Sequence, residues 1–407
     1  MTARPPGFID AFTPSMLYAG DASGRPTYQF AYGCPRTALL PLEELKDALD
    51  RSLSAPLGRR LLQYGNLNGH PGLLEALVHR LRAWGLRNAA PETLLITCGS
   101  TQALDMVCRA LGRPGGEAVT EAPGYPGFLG AAEVQGLSLL EVPLDGDGLD
   151  PERLEHCLAS ARERTGAVPS FVYLIPDYQN PAGVLLHPGR RQALVEVAAR
   201  AGTVLVEDLT YHELRYDGPE APPLGSLDPT NVVSLGSFSK TVCPGVRLGW
   251  ICARRDLVLR LRRYGSLLGL SALLQEAVFL LIREGTYDAM LARYRRSYRE
   301  QRDAMVEALS RHLGPGSGAR FTRPQGGFFV WLELDPSLDA DSLASRCERS
   351  GVYALPSRLF HPAGRPCPPG LRLAFCFEAK DRIAHGVEIL ARVLRGEARG
   401  AGRAAAG

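Results

Sequence analysis

The 407-residue sequence predicts an α/β protein: a mostly parallel sheet covered on both faces, followed by a smaller α+β domain. Three observations predict it. Short apolar runs rich in β-branched residues recur along the chain, and strands that are hydrophobic on both faces belong to doubly covered sheets. A helical or loop segment separates most runs from the next. After about Arg254 the pattern changes to long helical stretches and then to a second set of strands.

The elements follow in order. The first 35 residues, rich in Pro, Gly and Thr, read as an irregular arm (1–35). Helical patterns cover Leu40–Leu53 and Gly72–Ala83. LLITC (94–98) is an apolar strand, and Gly99-Ser100-Thr101 opens a helix that runs to about Leu111. EAVTEA (117–122), SFVYLI (170–175), TVLVED (203–208) and NVVSL (231–235) are further strands. RLGWICA (247–253) follows after a loop too short for a helical crossover, so it should run antiparallel. Helical patterns then fill 254–313. FFVWLELD (328–335), a helix near 340–350, LRLAFCF (371–377) and a helix near 379–394 complete the chain. These patterns place a domain boundary near Tyr287, with a large domain over 36–287 and a small one over 288–396. The Gly/Ala/Arg-rich tail, 397–407, is expected to fray.

Composition excludes several classes. A net charge of +3 on this length gives no electrostatic case for nucleic acid or a membrane surface. The nine cysteines are odd in number and form no C-x-x-C pair, and several sit in apolar runs, so reduced thiols and a cytoplasmic setting are expected. No clustered ligands suggest a metal, no charge-free apolar run of about 20 residues suggests a membrane span, and the start lacks the apolar core of a signal peptide.

Five segments carry chemistry. In SLGSFSKTVCPGVRLGW (234–250), Ser237, Ser239, Lys240 and Arg247 follow a buried strand. Alone it reads as a polar loop. At a strand end, where α/β sheets bind ligands, the hydroxyls and the arginine fork suit a phosphate, and the lysine can form an imine with an aldehyde. In VLVEDLTYHEL (204–214), Asp208 ends a strand, as a helix cap or as a carboxylate facing a protonated pyridine nitrogen, with Tyr211 three residues on. In LIPDYQNPAGVLL (174–186), Asn180 precedes a Pro turn. Ser100 and Thr101 stand at a helix start, either as caps or as part of an anion seat. Tyr125, in EAPGYPGF (121–128), is either a loop residue or a ring that stacks on a flat ligand.

Order and spacing join these segments. Over about Phe30–Leu394 the chain resembles the class I/II aminotransferases of pyridoxal-5′-phosphate (PLP) fold type I, in particular the subgroup of 2-aminoadipate aminotransferase and kynurenine aminotransferase II. GSFSKTVCPGVRLGW is similar to that subgroup's Schiff-base segment at almost every position. The resemblance implies a seven-stranded, mostly parallel sheet and PLP as cofactor. It implies that Lys240 forms the Schiff base, that Asp208 pairs with the pyridine nitrogen, and that Tyr211 and Asn180 contact the phenolic oxygen. Tyr125 would stack on the ring, and Ser100, Thr101, Ser237, Ser239 and Arg247 would hold the phosphate. Arg372, in LRLAF, would bind the substrate α-carboxylate, with Asn180 and Gly33 lining the substrate position. LQYGNLNGHPGL (62–73) resembles the segment whose tyrosine, here Tyr64, reaches the neighbouring subunit's phosphate, which implies a homodimer.

The expected reaction moves an amino group from an L-amino acid to a 2-oxo acid through pyridoxamine phosphate. The freed Lys240 amine, once neutral, would abstract the α-proton. Departures fall where substrate choice lives. AYGCPRTALLP replaces a glycine-rich loop at Tyr32-Gly33-Cys34, SMLYAGDASGRPTYQF (15–30) lacks a helical pattern, His70-Pro71 replaces Tyr-Pro, and SLLGLSALLQ (266–275) is unusually apolar. They motivate an alternative: PLP-dependent elimination, replacement or cyclisation. A transcription regulator of this fold would need a helix-turn-helix, for which 35 residues are too few. A non-catalytic binder fits poorly with Lys240, Asp208 and Arg372 together.

Overall fold

The computed structural model describes residues 26–56, 58–314 and 317–396. The expectations for 15–25 and for the tail 397–407 lie outside these residues. What is described of the arm holds strand β1 (Tyr28–Gln29), and helices α1 (Leu42–Ser54) and α2 (Pro71–Ala83) lead to β2 (Leu94–Thr97). Next come α3 (Gly99–Leu111), β3 (Glu117–Ala122), α4 (Pro126–Val134), β4 (Ser138–Asp145), β5 (Gly148–Leu149) and α5 (Pro151–Thr165). Then follow β6 (Phe171–Leu174), α6 (Pro188–Ala201), β7 (Val204–Asp208), α7 (Leu224–Leu227), β8 (Val232–Ser237) and β9 (Gly249–Cys252).

The large sheet runs β2-β9-β8-β7-β6-β3-β4-β5. Strands β8, β7, β6, β3 and β4 are successively parallel, and β9 is antiparallel to both neighbours, as its short connection predicts. The sheet holds eight strands against the seven expected. The eighth is the two-residue β5, turned back on β4 by a tight two-residue loop, with Gly148 in a left-handed conformation (φ 89°). Strand β4 has no counterpart among the sequence-predicted strands. Pro143 interrupts it, and only the short β5 pairs on its far side, so it lacks the fully apolar signature of β6 or β8.

The arm is not wholly irregular. Strand β1 pairs in parallel with β12 (Val352–Tyr353), and the Phe30 carbonyl accepts a bond from the Ala374 N–H. Helices α8 (Arg255–Arg262), α9 (Ala272–Arg283) and α10 (Thr286–His312) lead to a second sheet. It contains β10 (Ala319–Phe321), β11 (Phe329–Leu334), β13 (Leu355–Pro356) and β14 (Gly370–Ala374), in the antiparallel order β10-β11-β14-β13. Helices α11 (Ala340–Arg349) and α12 (Lys380–Leu394) accompany it.

Register positions the site. Thr97, at the end of β2, pairs with Gly249, and Gly249 pairs with Ser237 at the end of β8. This places the start of α3 beside the turn that carries Lys240. The approach needs glycine: a Cβ on Gly249 would lie 2.7 Å from the Gly236 carbonyl and 2.8 Å from the Gly99 backbone. A Gly249→Ala protein is therefore expected to lose about 1–3 kcal/mol, the usual cost of overpacking. Thermal unfolding checks this, and an unchanged midpoint would refute the packing argument.

Candidate active site

The carboxyl ends of β6, β7 and β8 each contribute a loop. The β8 turn carries Lys240, whose Nζ donates to the Gly33 carbonyl at 2.7 Å and lies 5.7 Å from the centre of the Phe328 ring. Asp208 ends β7 and is 2% exposed. Its Oδ1 accepts from the Thr210 N–H (3.0 Å) and hydroxyl (2.5 Å), and its Oδ2 from the Tyr173 hydroxyl (3.1 Å). Burial pushes the Asp208 carboxyl up from its ordinary range, while the Thr210 and Tyr173 bonds and the nearby Lys240 charge pull it back.

On the loop after β6, the Asn180 side-chain oxygen accepts from Arg372 at 3.0 Å. That bond fixes the amide so that its NH2 is free to donate. Arg372 lies on β14, a central strand of the second sheet, and is 4% exposed. A second guanidinium nitrogen donates to the Ala31 carbonyl at 2.5 Å, the rings of Phe329 and Phe360 flank it at 4.4 and 5.1 Å, and its Nε has no partner. Burial pulls its pKa down to about 10, although the nearby Tyr211 hydroxyl and Cys376 thiol favour the charge. Among the described residues no carboxylate pairs with this buried arginine, which suits an anionic ligand. Tyr211 is buried edge-on against Phe328 and Phe329, with centroids 5.6 and 5.8 Å away.

At the start of α3 the Cys98 side chain makes no cap, and the Gln102 side chain accepts from the Cys98 N–H at 2.6 Å. The Arg247 guanidinium sits here: a Cβ on Gly99 would lie 3.0 Å from it, and it donates to the Cys98 carbonyl at 3.3 Å. Arg247 takes a left-handed backbone (φ 47°) after a Pro-Gly-Val turn. Ser100 and Thr101 belong to that first turn. Ser237 and Ser239 are buried opposite it, and the Ser237 hydroxyl accepts from the Ser239 N–H at 3.1 Å. Burial and the Asp208 charge push the Tyr125 phenol up to about 12, and the Arg372 and Arg247 charges pull the other way. Tyr64 stands apart, 77% exposed, on a segment packed against the Leu270 carbonyl.

The donor set fits PLP: a primary amine bonded to a backbone carbonyl, a helix start beside an arginine, and a buried carboxylate in the field of the amine. The class I and II aminotransferase family model matches residues 29–389. This chain belongs to that family. The 2-aminoadipate transaminase of Thermus thermophilus is 37% identical over 90% of both chains. Aromatic-amino-acid aminotransferase 1 of Thermococcus litoralis is 31% identical, over 90% of this chain and 88% of its own. Among solved structures, the α-aminoadipate aminotransferase LysN of T. thermophilus has a TM-score of 0.83 at 34% identity, covering 96% and 99% of the two chains. The kynurenine aminotransferase of Pyrococcus horikoshii has a TM-score of 0.85 at 30% identity, covering 97% and 99%. The protein is a PLP-dependent aminotransferase of fold type I, and these relatives favour transamination over elimination or replacement chemistry.

The structure brings to this place several groups that the sequence does not single out. Thr210, two residues after Asp208, is an Asx-turn signal and was the most accessible of them. Tyr173 reads only as a strand residue, and its hydroxyl finds Asp208 across the neighbouring strand. The Ala31 carbonyl carries no side-chain signature at all, and Gly33, expected at the substrate position, meets Lys240 through its carbonyl. Cys34 and Cys376 also meet here, the Cys376 thiol donating to the Cys34 carbonyl at 3.2 Å.

Glu121, buried on β3, accepts from the Ile175 N–H (3.0 Å) and the Gln179 amide (3.2 Å), which braces the loop before Asn180. Burial pushes its carboxyl up to about 8, with those bonds opposing and the Asp208 charge adding to the rise. A raised folded pKa means its stabilising contribution is complete below the ordinary value of ~4.3 and is lost as pH rises through about 8. Relative to Glu121→Gln, the wild-type thermal midpoint should therefore decline over that window. Parallel pH profiles would show that Glu121 does not carry the effect.

Proposed function

We propose that the aminotransferase acts on an L-α-amino acid and a 2-oxo acid, with each side chain in a defined role. When bound, PLP supplies an electrophilic carbonyl and an electron-accepting ring. Lys240 would hold the cofactor covalently and, once released, move a proton at the substrate's α-carbon. Asp208 would keep the ring nitrogen protonated, and Tyr125 would lie against the ring. Tyr211 and the Asn180 amide would donate to the phenolic oxygen. Ser100, Thr101, Ser237, Ser239 and Arg247 would seat the phosphate at the α3 start. Arg372 would bind the carboxylate that donor and acceptor share, beside Asn180 and Gly33. The observation that carries this reading is the Lys240 amine on the Gly33 carbonyl, with buried Asp208 in its electrostatic reach.

The large and small domains divide near Tyr287, at the start of α10. The active form is a homodimer in which Tyr64 reaches the neighbouring site. Leu62, Tyr64, Leu67, Tyr264, Leu267 and Leu268 are all exposed, and Gly65 and Gly269 hold the two segments backbone to backbone. An apolar patch of this kind suits a partner surface. The nine cysteines are all free, and among the described residues no helix is long and apolar enough to cross a membrane, which supports a cytoplasmic setting.

Mixing PLP-loaded protein with single L-amino acids, without an oxo acid, should yield pyridoxamine phosphate and the matching oxo acid. Lys240→Ala should lower turnover by about a thousandfold or more. Arg372→Leu should lower kcat/KM roughly a hundredfold for both substrates with little loss of PLP. Release of a side-chain fragment in place of pyridoxamine phosphate would overturn the transamination reading. For the shared site, mixing inactive Tyr64→Ala and Lys240→Ala protomers should restore activity, because one site of each mixed dimer carries neither defect. No restoration after verified exchange would count against it.

A further inference from the structure

Behind the site lies a polar cluster that the roles above do not use. Asp177, on the loop after β6, is 2% exposed. Its Oδ1 accepts from the Arg191 guanidinium at 2.6 Å, and its Oδ2 is 2.7 Å from His212 Nδ1. Arg191, on α6, is fully buried, and its other N–H groups donate to the carbonyls of Leu186, Pro222 and Pro176. His212 belongs to the loop after β7 and packs against Trp84, centroid to centroid 4.6 Å. Glu213 follows it, held by Arg80 and by the Tyr287 hydroxyl. Burial opposes charge on His212, but Asp177 outweighs it and holds the imidazole pKa above its ordinary value. Glu213 and Glu207 act in the same direction. Arg191 and His212 hold Asp177 down at about 2 against its burial. Both shifts favour the charged forms at the Asp177–His212 contact.

The placement of the pair gives it a use. Asp177 lies three residues before Asn180, and His212 one residue after Tyr211. Asn180 and Tyr211 are on separate loops from neighbouring strands, and no direct hydrogen bond between their side chains appears among the described residues. Asp177 is itself anchored to α6 through Arg191, which fixes one end of the link to a rigid element.

We propose that His212 is a positioning residue: its link to Asp177 ties the Tyr211 loop to the Asn180 loop, so that both donors keep one geometry at the cofactor's phenolic oxygen. The inference rests on the roles given to Tyr211 and Asn180 above. Donation to that oxygen sets the protonation of the lysine-bound cofactor, so a loosened link changes the cofactor's absorbance as well as turnover.

The test is a pH titration of the absorbance of the PLP-loaded protein. Tyr211→Phe removes one donor and should move the spectroscopic midpoint upward. His212→Phe keeps a ring against Trp84 but deletes the link. It should move the midpoint the same way by about half a pH unit, the scale of one weakened hydrogen bond. His212→Asn, whose amide can replace the Nδ1 donor, should restore most of the shift. In the Tyr211→Phe background, His212→Phe should add much less than it does alone. Asp177→Asn weakens the same link from its other end and provides the second variant should His212→Phe fail to fold. A His212→Phe or Asp177→Asn protein with only a lower thermal midpoint, while Tyr211→Phe shifts the spectrum, would overturn the proposal and leave the Tyr211 role intact. An unshifted Tyr211→Phe would instead remove the role on which the proposal stands.

Discussion

Parallel pairing of β6, β7 and β8 is the constraint on which the rest of the site depends. Leu174 pairs with Glu207, and Asp208 with Leu235, so the three strands finish nearly level. Neighbouring strands lie about 4.8 Å apart, which sets the spacing of the loops that follow. Asn180, Tyr211 and Lys240 are far apart in sequence and reach one place because they follow those three ends. Antiparallel β9 completes the arrangement. It returns the chain between β8 and β2, and its glycine lets the start of α3 close on the Lys240 turn.

The second sheet and the arm act on this platform from outside. Arg372 comes from β14, yet it bonds Asn180 of the large sheet and the Ala31 carbonyl of the arm. Gly33, two residues further on, accepts from Lys240. The arm thus joins the lysine and the arginine through backbone carbonyls alone. A Cβ at Gly33 would lie 2.7 Å from the Phe329 ring, so this position is as sterically fixed as the side chains it meets. The departures at Tyr32 and Cys34 therefore sit on a segment pinned at both sides. Tyr32 is buried edge-on against Phe377.

Several acids are buried near the strand ends of the large sheet. Asp208, Glu121, Glu207 and Asp177 are each below 4% exposed. Each would be costly alone, and each is held by named donors. Glu207 accepts from Ser234 and from the Leu224 and Gly225 N–H groups, and Asp177 meets Arg191 and His212. The field of Lys240 favours the ionised form of Asp208. Glu207 and Asp208 are adjacent in sequence but face opposite sides of the sheet, as strand alternation requires. One braces α7, and the other takes the bonds from Thr210 and Tyr173.

The sequence by itself determined the strands with strong local signatures, the antiparallel turn of β9, and the segment around Lys240. Apolar runs, loop lengths and clustered hydroxyls are local properties, and the resemblance extended them to Asp208, Asn180, Tyr211 and Arg372. It did not reveal β4, whose Pro143 and exposed positions blur the pattern, nor the β1–β12 pairing, which joins residues more than 300 positions apart. The tertiary structure alone decided what lies next to what. Tyr173 became the partner of Asp208, Glu121 the brace of Gln179, and the Gly33 carbonyl the partner of Lys240. These contacts depend on strand order and on the docking of one sheet against another. No residue's chemistry encodes them until packing brings the partners within hydrogen-bond reach.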